Sequence, residues 1–543
     1  MSTRFDDPGS HSRALFERAR RVIPGGTSKA NFHVRPHPFY LTEGRGCRVT
    51  DADGVDRLDA INNFTALIHG HGFPPLVDAV TRQLARGTAF AASTPEEVAL
   101  AELLVERVPG LERVRFGNSG TEAVMMAIKA ARAYTGRDRI AKFEGAYHGY
   151  YDDVQVSYSS GPDDWGPADA PASTPSSGGV PKHRVQETLV LPWNDFDACE
   201  RLITRHAGEL AAVVVDPLSN RMGFIPPAEG FLAFLRQLTR QHGVLVVFDE
   251  IISFRVGYHG AQGRYGGEPD LTAFGKIIGG GFPVGATGGR AAVMEVFDPG
   301  TRGPRIASGG TFSANPVSMT AGLETMRAMT PAAFDRLEAL GDRLRSRLRD
   351  VFRSAGVPGQ ATGAGSLFRL LFTERPLRSY RDLDQPAEAR MERLFYALLD
   401  AGVLVHTAGL GCLSTPMGDR EVEEIAAAAE RALATVGPLL LRYPTGFAQW
   451  LCALELVHAG ITEVALVGAP DDPGLAPLVR VADRVYRPFT VLAVTEQPDA
   501  TGVPLLRDRF ALNGRATAFV CRDFACRQPV HEPEALEALL AGG

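Results

Sequence analysis

Two uninterrupted apolar runs, Ala212 to Val215 and Val244 to Phe248, constrain the fold of this chain most. A strand with one wet face alternates apolar and polar residues. A run that is apolar at every position is covered on both faces, as in a parallel sheet. Helical stretches alternate with these runs, which predicts an α/β sheet. In such sheets functional groups gather just outside the carboxyl ends of the strands. The second run ends at that place in Asp249-Glu250. A chain of 543 residues is long enough for several domains with large buried cores.

Downstream of Asp249 stands Lys276, after Ala273-Phe274 and just before Gly279-Gly280-Gly281. Taken singly, the acid reads as a strand-end cap and the lysine as a surface residue. Taken together they are the two groups that pyridoxal phosphate (PLP) requires. A lysine forms the Schiff base with the aldehyde. A carboxylate keeps the pyridine nitrogen protonated, so that the ring can accept electrons. A phosphate site is legible upstream in Phe116-Gly117-Asn118-Ser119-Gly120-Thr121-Glu122-Ala123. Glu122 and Ala123 suit a first helical turn, and Gly136 suits a stop. Ser119, Gly120 and Thr121 then lie at a helix N-terminus, where free N–H groups and two hydroxyls favour a phosphate. A plain Ser/Thr N-cap is the commoner use of that pattern. Gly145-Ala146-Tyr147-His148-Gly149-Tyr150 follows the run Ile140 to Phe143. It reads as a turn, with an aromatic placed to stack on a flat ring.

SGTEA, GAYHG, FDE, the lysine of FGKIIGGG, and SGGTFSANP stand here in an order that resembles the class III PLP-dependent aminotransferases. Within that class the chain is most similar to glutamate-1-semialdehyde aminomutase and its β-amino-acid aminotransferase relatives. Ile23-Pro24-Gly25-Gly26-Thr27 and the stretch from Asn62 to His71 support the subgroup. The resemblance runs from about Ser12 to Val436. It implies PLP fold type I: a large domain on a mostly parallel seven-stranded sheet and a small α+β domain. It implies that Lys276 carries the cofactor and shuttles a proton, and that Asp249 pairs with the ring nitrogen. Ser119, Gly120 and Thr121 would hold the phosphate, Tyr147 would stack on the ring, and Ile252 would pack on its other face. Thr311 would reach the phosphate in the neighbouring subunit, which makes the expected assembly a homodimer with shared active sites.

Two departures bear on the substrate. Where the family has a stretch similar to EPVAGNMG, this chain reads Asp216-Pro217-Leu218-Ser219-Asn220-Arg221-Met222-Gly223. Asp replaces Glu, and Arg221 falls where the aminomutase has an asparagine near the cofactor. Relatives also place an arginine shortly after PGG to bind a carboxylate. Here the nearest cation is Lys29, a point charge without the guanidinium fork, with Arg35 further on. Lys29 and Arg221 are the substrate-binding candidates. The expected activity is transfer of an amino group between an amino acid (α-, β- or ω-amino) and an oxo acid. A 1,2-amino shift, racemisation and decarboxylation are alternatives on the same cofactor. A silent PLP-fold scaffold with a working tail is the alternative of another class.

Net charge is −6 with both signs interleaved, which argues against a nucleic-acid partner. No run of eighteen apolar residues occurs, so no membrane span is expected. MSTRFDDPGSHSR lacks the apolar core of a secretory signal. Four of the six cysteines (Cys47, Cys199, Cys412, Cys452) are scattered, as suits reduced thiols in a cytoplasm. No third and fourth metal ligand accompany Cys521 and Cys526 beyond His531, so no metal site is expected. The pair reads as two small buried hydrophobes rather than a redox or metal site.

Expected boundaries place the N-terminal part of the small domain at 1–61, the large cofactor domain at 62–326, the rest of the small domain at 327–437, and an appended α/β module at 438–543. Helices are expected over Ala332 to Phe352 and Asp419 to Ala434. Residues 155–186 keep no period and read as a lid or as plain disorder. In the module, helices are expected at Trp450 to His458, Leu475 to Val485 and Glu534 to Leu540, and strands at Glu463 to Gly468, Phe489 to Val494 and Arg515 to Cys521. That pattern resembles the C-terminal end of thioredoxin-domain proteins related to spermatogenesis-associated protein 20, without their CxxC motif.

Overall fold

The computed structural model describes residues 7–442 and 462–541, except 8, 30–31, 33, 301–302, 304, 384–387, 486–489, 497–503, 507–508 and 523–524. It divides into two compact units, Met1–Gly437 and Pro438–Gly543.

In the first unit a helix, His11–Ala19, precedes three short antiparallel strands: β1 (Leu41–Arg45), β2 (Arg48–Asp51) and β3 (Asp56–Asp59). A seven-stranded sheet follows, built from β4 (Arg113–Gly117), β5 (Arg139–Phe143), β6 (Thr188–Leu191), β7 (Leu210–Val215), β8 (Leu245–Asp249), β9 (Leu271–Gly275) and β10 (Gly285–Gly289). Its order is β4-β10-β9-β8-β7-β5-β6. All neighbours run parallel except β10, which lies antiparallel to both β4 and β9. Every residue of β7, β8 and β9 is buried, as their apolar runs require. Later in the chain come β11 (Gln360–Thr362), β12 (Leu367–Leu371), β13 (Val403–Leu404) and β14 (Leu410–Cys412). β13 pairs with β3, while β11, β12 and β14 form a separate sheet. Helices Pro331–Ser354 and Asp419–Arg442 occupy the expected places, the second running further than its period indicated.

Because β10 alone is reversed, the carboxyl ends of β4, β5, β7, β8 and β9 share one edge. That edge receives Ser119 after β4, Tyr147 and His148 after β5, Asp216 after β7, Asp249 at the end of β8 and Lys276 after β9.

Residues 155–186 are not the disordered tract that their lost period allowed. Their carbonyls are held by side chains that the sequence gives no reason to connect with them. Lys142 donates to Val156 O at 2.8 Å, and Tyr380 Oη to Ser160 O at 2.9 Å. Arg381 donates to Trp165 O at 2.7 Å and Gly166 O at 2.8 Å while pairing with Glu144. A short helix, Lys182–Gln186, closes the segment.

In the second unit β15 (Thr462–Val467) pairs in parallel with β16 (Thr490–Thr495) and antiparallel with β17 (Thr517–Arg522), which pairs with β18 (Ala525–Cys526). Helices Leu475–Asp483 and Pro533–Ala541 accompany them. Val464, Leu466, Leu478, Ala518, Val520 and Leu536 form this unit's core. The helix expected at Trp450 to His458 lies outside the described residues. The reading of Cys521 and Cys526 as separate buried hydrophobes is corrected: they face each other across the β17–β18 hairpin and form a disulfide. Cys521 is buried and Cys526 exposed. Among the described residues no helix is long and apolar enough to cross a membrane.

Candidate active site

Asp249 is buried at the end of β8. Its Oδ1 accepts from Ile251 N at 3.1 Å, and its Oδ2 lies 2.8 Å from His148 Nδ1. His148 is itself buried, and burial holds its pKa below the usual value despite the neighbouring carboxylate. A neutral ring donating from Nδ1 gives Asp249 Oδ2 one hydrogen bond, and leaves Nε2 buried without a partner among the described residues. Each carboxylate oxygen retains a lone pair for a further donor.

Lys276 opens the turn after β9 with φ of 51°, a left-handed conformation that a residue with a side chain adopts at a cost. Among the described residues its amine has no ion pair or hydrogen bond. Burial lowers its pKa, against the opposing pull of Asp249 and Asp216. The Asp216 carboxyl is pushed well above the usual range by burial and then by the charge of Asp249. A second cation faces this cluster. Arg255 is fully buried and has no carboxylate partner among the described residues. It donates to Ser366 Oγ (2.9 Å), Thr65 O (2.8 Å), Cys412 Sγ (3.2 Å) and Leu413 O (2.6 Å). Its charge also disfavours protonation of Lys276.

Ser119 is the N-cap of the Gly120–Thr135 helix, its Oγ accepting from Glu122 N at 3.2 Å. Thr121 Oγ1 accepts from Tyr150 N at 3.3 Å. Both hydroxyl protons stay available to an anion. The approach is made possible by a row of glycines: Gly117, Gly285 and Gly275 stand side by side across β4, β10 and β9. A Cβ on Gly285 would lie 1.9 Å from Ser119 O, and one on Gly120 would lie 2.6 Å from Ile251 Cδ1. Helix N-terminus, bare glycine row, unpartnered amine and half-satisfied acid together fit a flat, phosphorylated aldehyde.

Tyr147 is half-buried, edge-on to Tyr158 at 5.3 Å and to Tyr150 at 6.1 Å. Ile252 packs against the cluster containing Leu218, Phe224 and Val256. Thr311 is exposed in the Gly310–Ser313 turn. Lys29 is exposed, 3.5 Å from Asn63 Oδ1 and 5.5 Å from the Phe64 ring centre. Arg221 is exposed and stands 4.8 Å from the Tyr158 ring centre and 5.8 Å from that of Tyr147. Sequence reasoning gave His148, Asp216 and Arg255 no role. For His148 the available signal was its place beside Tyr147 after a buried strand. Arg255 has no such signal, because its partners, two carbonyls, a hydroxyl and a thiol, all lie more than a hundred residues away.

The model of the family described as aminotransferase class III matches residues 30–428. The chain belongs to that family. PLP is its cofactor, and it is an enzyme of the aminotransferase and aminomutase group with fold type I. It is 41% identical over 425 residues to glutamate-1-semialdehyde 2,1-aminomutase of Methanothermobacter thermautotrophicus, covering 78% of this chain and 98% of that one. An omega-transaminase from Sphaerobacter thermophilus superposes with a TM-score of 0.77 at 54% identity, covering 79% of this chain and 98% of the other. A beta-phenylalanine aminotransferase from Variovorax paradoxus superposes with a TM-score of 0.72 at 36% identity, covering 80% and 96%.

Proposed function

We propose that the enzyme transfers an amino group from an amino acid, with its amine at the α, β or ω carbon, to an oxo acid. The observation that carries the reading is the convergence on one sheet edge of an unpartnered amine, a buried carboxylate and a helix N-terminus. When bound, PLP supplies an electron sink for negative charge at the substrate carbon that bears the amine. Lys276, whose protonation burial disfavours, would hold the cofactor and take the proton from that carbon. Asp249, oriented by His148, keeps negative charge beside the ring nitrogen. Ser119, Gly120 and Thr121 bind the phosphate, Tyr147 covers one ring face and Ile252 the other. Thr311 reaches the phosphate of the neighbouring subunit in a homodimer. Lys29 is the lesser candidate for the substrate carboxylate, since its amine already rests on Asn63 and Phe64.

A second reading is internal transfer, as in the aminomutase that is 41% identical. Arg221, in the place of the asparagine of that group, weighs for intermolecular transfer. The test is incubation of the purified holoenzyme with a panel of amino acids and pyruvate, with alanine measured by chromatography. Alanine is expected from at least one donor, and none from Lys276→Ala, which also loses the visible absorbance of the lysine-bound cofactor. Absence of alanine together with isomerisation of glutamate-1-semialdehyde would replace the first reading by the second.

A further inference from the structure

Two arginines near this edge lack an acidic partner. Arg221 lies five residues beyond Asp216, stacked over Tyr158 and beside Tyr147, the neighbour of His148. Arg369, on β12, donates from Nη1 to the carbonyl of Asn220, the residue before Arg221. Its Nε is buried without a partner. Among the described residues neither guanidinium forms an ion pair. They are close enough to repel: Arg369 is held down at about 10, by burial first and by Arg221 second.

An isolated surface arginine stacked on an aromatic ring needs no further explanation. A second guanidinium held behind it, with an orphaned N–H, does. Like charges brought together cost free energy unless an anion compensates them. A guanidinium resting over an aromatic ring can keep an N–H edge free, and that edge matches the two oxygens of a carboxylate. Tyr158 comes from the tethered 155–186 segment and Tyr147 from the turn after β5, next to the His148 that contacts Asp249, so the cation stands where that segment meets the reacting edge.

We infer that Arg221, steadied by Tyr147 and Tyr158 and backed by Arg369, receives the carboxylate of the amino-acid substrate. The inference rests on the aminotransferase reading for the identity of the substrate, and deepens it by naming the group that takes the carboxylate. Both half-reactions would use the same cation, since donor and acceptor pass through one site in turn.

The test compares two donors on the holoenzyme: β-phenylalanine, and 1-phenylethylamine, which is the same amine with its carboxymethyl group cut back to methyl. In Arg221→Met, KM for β-phenylalanine should rise roughly ten- to a hundredfold, the loss expected for a charge-assisted hydrogen-bonded pair. KM for 1-phenylethylamine should move far less. Arg221→Lys keeps the charge without the fork and should fall between. Calorimetric binding of unreactive 3-phenylpropanoate should weaken in the same order. An equal rise in KM for both donors, or unchanged affinity for 3-phenylpropanoate in Arg221→Met, would overturn the inference; so would absence of 3-phenylpropanoate binding to the unaltered enzyme. If the unaltered enzyme turns over neither these donors nor any amino acid of the panel, but binds 3-phenylpropanoate through Arg221, the carboxylate site stands and the aminotransferase reading goes.

Discussion

Lys142 illustrates how a single residue can escape its sequence signature. Set between Ala141 and Phe143, it reads as the polar position of a half-wet strand, yet it is fully buried. Its Nζ donates to Phe143 O at 2.9 Å and Val156 O at 2.8 Å. Two acceptors match the two protons of a neutral amine, and burial pushes its pKa down to about 7. An unfolded lysine keeps its extra proton up to about pH 10.4. Between those values the unfolded chain binds one proton more than the folded one, so stability rises with pH across that window. Lys142→Met should abolish that rise, read as the denaturant midpoint at about pH 7 and about pH 9; parallel profiles for the two proteins would mean that the lysine is charged in the fold. The candidates Asp249 and Lys276, by contrast, stand out in the sequence because one cofactor needs both groups. Asp249→Asn keeps shape and loses charge, so kcat should fall by at least about a hundredfold. Near-normal kinetics would pass the ring-nitrogen role to another group. His148 and Arg255 stay hidden because their partners lie far off in sequence, 101 residues away for Asp249 and up to 190 for Thr65.

Among the elements, β7 and β8 announce themselves as apolar runs, and the Gly120–Thr135 helix by its cap and its Gly136 stop. β10 does not. Its sequence, Gly-Ala-Thr-Gly-Gly, has the composition that strands usually avoid. It is a strand because both its neighbours supply hydrogen-bonding edges, and it is glycine-rich because backbone crowds it: Ser119 O at Gly285, Arg113 O at Gly288 and Asp270 O at Gly289. Gly285→Ala should therefore displace that loop. We expect a loss of about 1–3 kcal/mol in stability, typical of overpacking, and weaker retention of the cofactor on dialysis. An unaltered melting temperature with full absorbance would show that Ser119 can yield. The 155–186 segment has the opposite fault: its tethers lie on other elements, so nothing within it reports that it is ordered.

At the scale of the whole molecule, the family match ends at residue 428 and the second unit carries its own core. We propose that domain boundaries fall at 61/62, 326/327 and 437/438. Thr311 sits exposed beside Phe312, which is 62% exposed. We expect a homodimer by light scattering, and weaker PLP binding in Thr311→Ala; an active monomer would contradict sites shared between subunits. One strand governs how closely two parts of the site approach. β10 stands between β4, which leads into the Ser119 turn, and β9, which leads into Lys276. A Cβ on Gly275 would lie only 3.6 Å from Gly120 Cα, so the turn leans across β10 towards β9. The glycine row is thus a clearance gauge: a side chain added there is felt first where the turn crosses the sheet, and only then by whatever binds above it.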